Sequence, residues 1–113
     1  MKAGDQVTID EVSKKFNVAK TTLLSFEKDN LFDRSPEISV YEYSDKEIER
    51  LSLILSLKKI GLKKEKIGEY LKQNEIGRQQ ILTKQRQLIL DDIHLQQKNL
   101  DVIDYLIYQL KNK

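Results

Sequence analysis

Residues 21–32 read TTLLSFEKDNLF. The stretch starts polar, carries apolar residues at helical spacing and closes on Asn-Leu. Leu23, Phe26 and Leu31 fall where a helix and the turn after it face a core. Thr21, Ser25 and Lys28 share the opposite face at i, i+4, i+7 spacing. This is the outline of a helix that reads DNA, with Thr, Leu and Ser where such a helix usually carries Arg and Tyr. The question it sets is whether the neighbouring sequence builds a DNA reader around it.

Upstream, Thr8-Ile9-Asp10-Glu11 forms a capping box, a Thr followed three residues later by a Glu. It predicts a first helix with Val12 and Phe16 on the inner face. Asn17 ends that helix, because Asn tolerates the left-handed backbone of a tight turn. The second helix then spans about 20–29 and stops at Asn30. Two short helices joined by so tight a turn read as a helix–turn–helix. Downstream, Pro36 breaks the pattern. ISVYEY (38–43) alternates β-branched and aromatic residues, which predicts a small β-wing with Ile38, Val40 and Tyr41 as strand residues. Ser44-Asp45-Lys46-Glu47 is a second capping box. It opens a helix over about 45–59 whose Ile48, Leu51, Ile54, Leu55 and Leu57 make a core stripe, ended by Gly61. A short fourth helix, 63–72, turns Ile67 and Leu71 inward.

The last third predicts one long helix, 76–111, with neither Pro nor Gly after Gly77. Leu82, Arg86, Ile89, Ile93, Gln96, Leu100, Ile103, Ile107 and Leu110 alternate spacings of four and three. Seven of these nine are apolar, which makes a heptad seam, and Arg86 and Gln96 are polar interruptions of the kind that set register. A second stripe, Ile81, Leu88, Leu95 and Val102, runs beside it. Two stripes are more than one chain can bury on itself, so a homodimer is expected. The fold class is therefore mainly α: a winged helix–turn–helix domain over 1–73, then a dimerisation helix over 76–111.

Composition narrows the function. The chain has 113 residues, 34 % of them charged, and no Cys. Disulfides, thiolate metal sites and Cys nucleophiles are excluded. His94 is the single His, without a second ligand at metal-binding spacing. No glycine-rich phosphate loop or Ser/His/Asp set points to an enzyme, and no cofactor or metal is expected. No window is apolar enough for a membrane span, and MKAGDQVTID lacks the apolar core of a signal peptide, so the cytoplasm is the expected compartment. Net charge is only +2, with fourteen Lys and Arg against thirteen Asp and Glu in residues 1–73. That is a weak basic balance for a nucleic-acid binder. The run KKIGLKKEK (58–66) concentrates five Lys, and reads either as a solvated corner or as a phosphate-contacting one.

Taken in order, these parts resemble the MerR family of bacterial transcription regulators. VTIDEVSKKFNVAKTTLLSFEKDNL is similar to the family's opening, in which a helix–turn–helix runs into Thr-Leu-Arg-Tyr-Tyr-Glu and then Gly-Leu-Leu. Thr22, Leu23 and Glu27 match that motif and Phe26 stands in for its second Tyr. YSDKEIERLSLILSLKKIGLKKEKIGEYL is similar to the block that follows, with Tyr43, Leu51, Ile54, Gly61, Ile67 and Leu71 in the expected places. The departures fall on the DNA-contacting positions. Leu24 stands for an Arg, Ser25 for a Tyr, Thr21 for a common Arg, and Tyr41 for the wing Arg. The wing is one residue shorter, and Ala19 replaces a Ser cap.

The resemblance implies a homodimer whose C-terminal helices pair as an antiparallel coiled coil, with double-stranded DNA as partner and RNA polymerase at a promoter as a further one. The second helix would lie in the major groove with the wing on the backbone, and the family acts by bending and untwisting an overlong promoter spacer. The corner between the third and fourth helices would serve as a second wing. The expected DNA-facing set is Lys14, Lys15, Lys20, Thr21, Thr22, Leu24, Ser25, Lys28, Arg34, Tyr41, Lys63 and Lys64. The nine seam residues form the expected dimer interface. The effector module of longer family members is expected to be absent or reduced to YLIYQLKNK. The missing arginines leave a rival: a MerR-like adaptor or modulator that binds protein and has lost sequence-specific DNA binding.

Overall fold

The computed structural model describes residues 6–113, so the start of the 1–73 segment, and of the MKAGDQVTID stretch, lies outside the described residues. The elements in order are β1 (Val7–Thr8), α1 (Ile9–Phe16), α2 (Lys20–Lys28), β2 (Glu42–Tyr43), α3 (Asp45–Lys59), α4 (Lys64–Lys72) and α5 (Glu75–Lys111). The chain divides into two compact units, one ending at Leu71 and the other running Lys72–Lys113. The first holds the helix–turn–helix, a two-stranded wing and the α3–α4 pair. The second is the long helix.

Local chemistry sets these boundaries. Glu11 N–H donates to the Thr8 hydroxyl at 3.2 Å and Thr8 N–H donates to the Glu11 carboxylate at 2.9 Å, which closes the capping box of α1. Asn17 ends α1 with φ 56°, and Asn30 follows α2 with φ 59°, both in the left-handed region that Asn tolerates. The Ser13 hydroxyl donates to the Val18 carbonyl and pins the turn between α1 and α2. α2 begins on Ala19, which offers no side-chain cap. At the start of α3 the Glu47 carboxylate accepts the Ser44 N–H at 2.8 Å and the Ser44 hydroxyl. Gly61 closes the α3 corner at φ 94°, a conformation any other L-residue adopts at a cost.

The wing differs from the strand expected at Ile38, Val40 and Tyr41. Those residues lie in turns, and the ladder is Val7–Thr8 against Glu42–Tyr43, antiparallel, with Val7 opposite Tyr43 and Thr8 opposite Glu42. The Ile9 N–H extends it by donating to the Tyr41 carbonyl at 2.8 Å. The alternation in ISVYEY is real, but its acceptors are used elsewhere. Ile38 N–H closes a turn on the Ser35 carbonyl at 3.1 Å, and the Arg34 guanidinium takes the Ser39 and Glu42 carbonyls. A side chain there does the work of a partner strand.

The core of the first unit is small and continuous. Leu23, Tyr43, Leu51 and Ile54 are fully buried, flanked by Ile9, Val12, Phe26, Leu31, Phe32, Leu57, Leu62, Ile67, Tyr70 and Leu71. Phe16, Ile48 and Leu55, expected inside, are only half-buried at its margin. The second unit buries no side chain completely on itself. Its Asn74 caps α5 by accepting the Gly77 N–H at 2.9 Å, and 37 residues then make a rod of roughly 55 Å. Leu82, Ile89, Ile93, Leu100, Ile103, Ile107 and Leu110 are all exposed along it, as are Leu88, Leu95 and Val102. Among the described residues no helix is long and apolar enough to cross a membrane.

Candidate nucleic-acid interface

One groove in the first unit brings the outer face of α2 to the lysine corner. Thr21, Thr22 and Ser25 of α2, with Asp29 just past its end, form one wall. Lys58 at the end of α3 and Lys63 and Lys64 at the start of α4 form the other, with Phe26, Leu31, Leu62 and Ile67 as an apolar floor. Three hydroxyl-bearing residues and three lysines thus line one groove, which suits an anionic, hydrogen-bond-accepting backbone. The corner is shaped locally: Leu62 N–H bonds back to the Leu57 carbonyl at 3.1 Å, and Gly61 supplies the left-handed residue that lets it do so.

The groove is not purely basic. Lys64 lies 3.7 Å from the Asp29 carboxylate, and the Lys58 ammonium sits 5.6 Å from the centre of the Phe26 ring. Both contacts hold the lysines over the groove, and the first cancels part of its charge. Lys63 has no ion-pair partner among the described residues. Lys58 lay within the KKIGLKKEK run but outside the expected contact set. The run itself was the signal; only the fold shows that its first Lys faces α2.

The remaining expected residues divide. Lys14 and Lys15, in the last turn of α1, line a separate shallow depression with Val7, Glu11, Val12, Phe16 and Ile48. Lys20 pairs with Asp10 at 2.5 Å, both well exposed. Leu24 and Lys28 belong to α2 but do not line the groove. Tyr41 is 58 % exposed on the wing, with its N–H donating to the Ser39 hydroxyl at 3.2 Å.

Arg34 requires a correction. Its side chain is 2 % exposed, so it is no free cation for phosphate. Nε lies 2.9 Å from the Glu27 carboxylate on α2. Nη1 donates to the Ser39 carbonyl at 2.9 Å and to that of Glu42 at 2.5 Å. The guanidinium centre stands 4.6 Å from the Tyr43 ring centre and 5.4 Å from that of Phe32. Those rings meet edge to face at 5.5 Å. Burial pushes the Tyr43 hydroxyl above its ordinary value, against the pull of the Arg34 charge. Position in the sequence placed Arg34 beside the wing; it gave no sign that Glu27 and two rings would enclose it. Arg50 was likewise not anticipated. Its Nε donates to the Leu31 carbonyl at 2.7 Å and holds the segment leaving α2 against α3.

The family model of the MerR HTH regulatory proteins matches residues 7–74. The chain belongs to the MerR family. It is a helix–turn–helix transcriptional regulator and not an enzyme. Its fold is similar to the crystal structure of the N-terminus of MtaN, the Bacillus subtilis multidrug transporter activator. The TM-score is 0.73 and identity 24 %, with 89 % of this chain and 97 % of that chain covered. At that identity the likeness bears on the fold alone, and the fold it shares includes the two-stranded wing and the long C-terminal helix. No curated protein matches the chain. Within this MerR-family head, then, α2 buries Leu23 and Phe26 while Thr21, Leu24 and Ser25 lie on the rest of its surface.

Proposed function

We propose that this MerR-family chain works in the cytoplasm as a homodimer that binds double-stranded DNA, with residues 1–73 as the reader and 76–111 as the dimerisation helix. The observation that carries the reading is the groove in which Thr21, Thr22 and Ser25 face Lys58, Lys63 and Lys64. α2 enters the major groove. The hydroxyls and lysines hold a flanking phosphodiester, Leu24 packs on a thymine methyl, and Lys20 and Lys28 add charge at the two ends of the helix. Lys14 and Lys15 contact a second backbone segment, and Tyr41 carries the wing onto the sugar-phosphate edge. RNA polymerase at a promoter is the partner through which such a complex would act.

The nine seam residues of α5 form the dimer interface, paired antiparallel. Used over its whole length, the seam from Leu82 to Leu110 puts the two-fold axis near Gln96. Its amide then meets its own copy, donor to acceptor. Ile103 meets Ile89 of the partner subunit, and Arg86 lies within reach of the partner subunit's Asp104. Burying an apolar stripe on each of two rods supplies the driving force that one rod alone lacks.

The test is affinity for random-sequence duplex DNA at low and moderate salt. Phosphate-based binding weakens linearly in log–log form as salt rises. Binding no stronger than that of an unrelated protein of net charge +2 overturns the proposal. The second reading, a protein-binding adaptor, then takes its place. It draws on exposed Ile38 and Tyr41, which give the wing an apolar rather than a cationic tip.

A further inference from the structure

We infer that Arg34 is a positioning residue that fixes the wing against the reading helix, and that DNA affinity depends on it although it touches no DNA. The inference rests on the DNA-binding reading above. Three observations meet at this side chain. It is buried. It reaches both parts: Nε lies 2.9 Å from the Glu27 carboxylate of α2, and Nη1 donates to the Ser39 and Glu42 carbonyls of the wing. And its flat face lies against Tyr43 and Phe32, which belong to the core beneath the wing.

The wing has little backbone pairing to fix its angle to α2. The ladder under the wing is two residues long on each side. α2 starts without a side-chain cap. Residues 36–41 form no strand, and two of the local hydrogen bonds there are long, at 3.2 Å and 3.3 Å. The guanidinium supplies a fork of donors in one plane, so it constrains direction as well as distance. A lysine brings the same charge but neither the fork nor the flat face. The wing tip carries Tyr41 instead of a cation, so its contact with DNA depends on where the ring is placed rather than on long-range attraction. A small change in wing angle then costs more than it would for a charged tip.

The experiment is a double-mutant cycle. Arg34→Lys and Arg34→Met are each made in the wild-type chain and in a Tyr41→Ala chain, and affinity for duplex DNA is read at fixed salt. Thermal unfolding reports stability beside it. If Arg34 acts through the wing, both substitutions weaken wild-type binding by about tenfold and change binding by less than about twofold once Tyr41 is gone. A contact between Arg34 and phosphate predicts the opposite pattern: Lys binds like wild type, and Met loses the same factor in both backgrounds. Equal losses in both backgrounds, from Lys and Met alike, mean that Arg34 merely supports the fold, and this overturns the inference too.

Amide hydrogen exchange provides a readout that does not require DNA. In Arg34→Lys, or in Glu27→Gln should the first variant not fold, the Ile9 and Glu42 amides at the wing are expected to exchange about tenfold faster, with α3 unchanged. Unchanged wing exchange overturns the inference. Faster wing exchange in a protein that binds no DNA leaves Arg34 fixing the wing and removes the reading it was built on.

Discussion

Replacing Lys58, Lys63 and Lys64 together with Ala tests whether the groove beside α2 carries phosphate. Each phosphate contact contributes about 0.9 to the slope of log affinity against log salt. Three full contacts would remove about 2.7 from that slope, so a fourfold rise in salt would weaken the variant roughly fortyfold less than the wild type. The structure sets how far short of this the result falls. Lys63 has no ion-pair partner among the described residues and counts in full. Lys64 stands 3.7 Å from Asp29 and Lys58 lies over Phe26, so part of what each offers is already engaged. A loss of slope between about 0.9 and about 2.7 is expected, with the protein still folded because all three lysines are exposed. Fluorescence anisotropy on a short labelled duplex, titrated at four or five salt concentrations, measures it. A slope that changes by less than one contact refutes the assignment. The hydroxyl face of α2 would then have no basic wall to work with.

Three further outcomes follow from the same structure. In the proposed dimer, Ile103→Asp places an unpaired charge at a central seam position and should cost several kcal/mol of pairing, giving monomer in sedimentation; an unchanged dimer refutes the register. Leu51→Ala empties a fully buried site in a small core and should lose about 2–5 kcal/mol, enough to unfold much of the first unit in a urea melt. Burial alone would raise the Glu47 carboxyl, but hydrogen bonds from the Ser44 hydroxyl and N–H, with the Arg34 charge, outweigh it and hold it below 4.5. A carboxyl lowered on folding adds stability that is present above its unfolded value and is lost as pH falls through its folded one. Wild type should therefore lose melting temperature as pH falls below about 4.5 more steeply than Glu47→Gln, and parallel curves would refute the reasoning.

Much of the head was legible because its signals are local. Thr8 and Glu11, Ser44 and Glu47, Asn17, Asn30 and Gly61 each act within a few residues, and the helix ends fall where these residues put them. The wing was misplaced because its strand pairs with Val7–Thr8, some thirty-five residues upstream, and no local pattern marks that partner. The site was legible in part for the same reason. KKIGLKKEK announced charge, but which lysines face Thr21 and Ser25 depends on how the α3–α4 corner meets α2. The sequence set Arg34 beside the wing as a DNA-facing charge but gave no sign of its burial. Its isolation in the sequence resembles a solvated charge, and only the fold brings Glu27, Phe32 and Tyr43 around it.

The substitutions on α2 and the burial of Arg34 have one joint consequence for recognition. Bidentate Arg contacts to base edges are worth about 1–3 kcal/mol of discrimination each, and α2 carries no Arg on its outer face. Hydroxyls at Thr21, Thr22 and Ser25 bond phosphate or base with little preference, and the lysines respond to charge alone. A single head would therefore bind weakly and read few bases. Pairing two heads in the proposed homodimer would change that, because the second would bind at high effective concentration only when its half-site lies at a spacing and phase the dimer allows. Selectivity would move from base contacts to half-site separation and to how readily the intervening DNA deforms. On this reasoning, changing the spacing between half-sites by a few base pairs should reduce binding more than changing any one base within them. The converse result would mean that Leu24 and its neighbours read sequence more closely than their chemistry suggests.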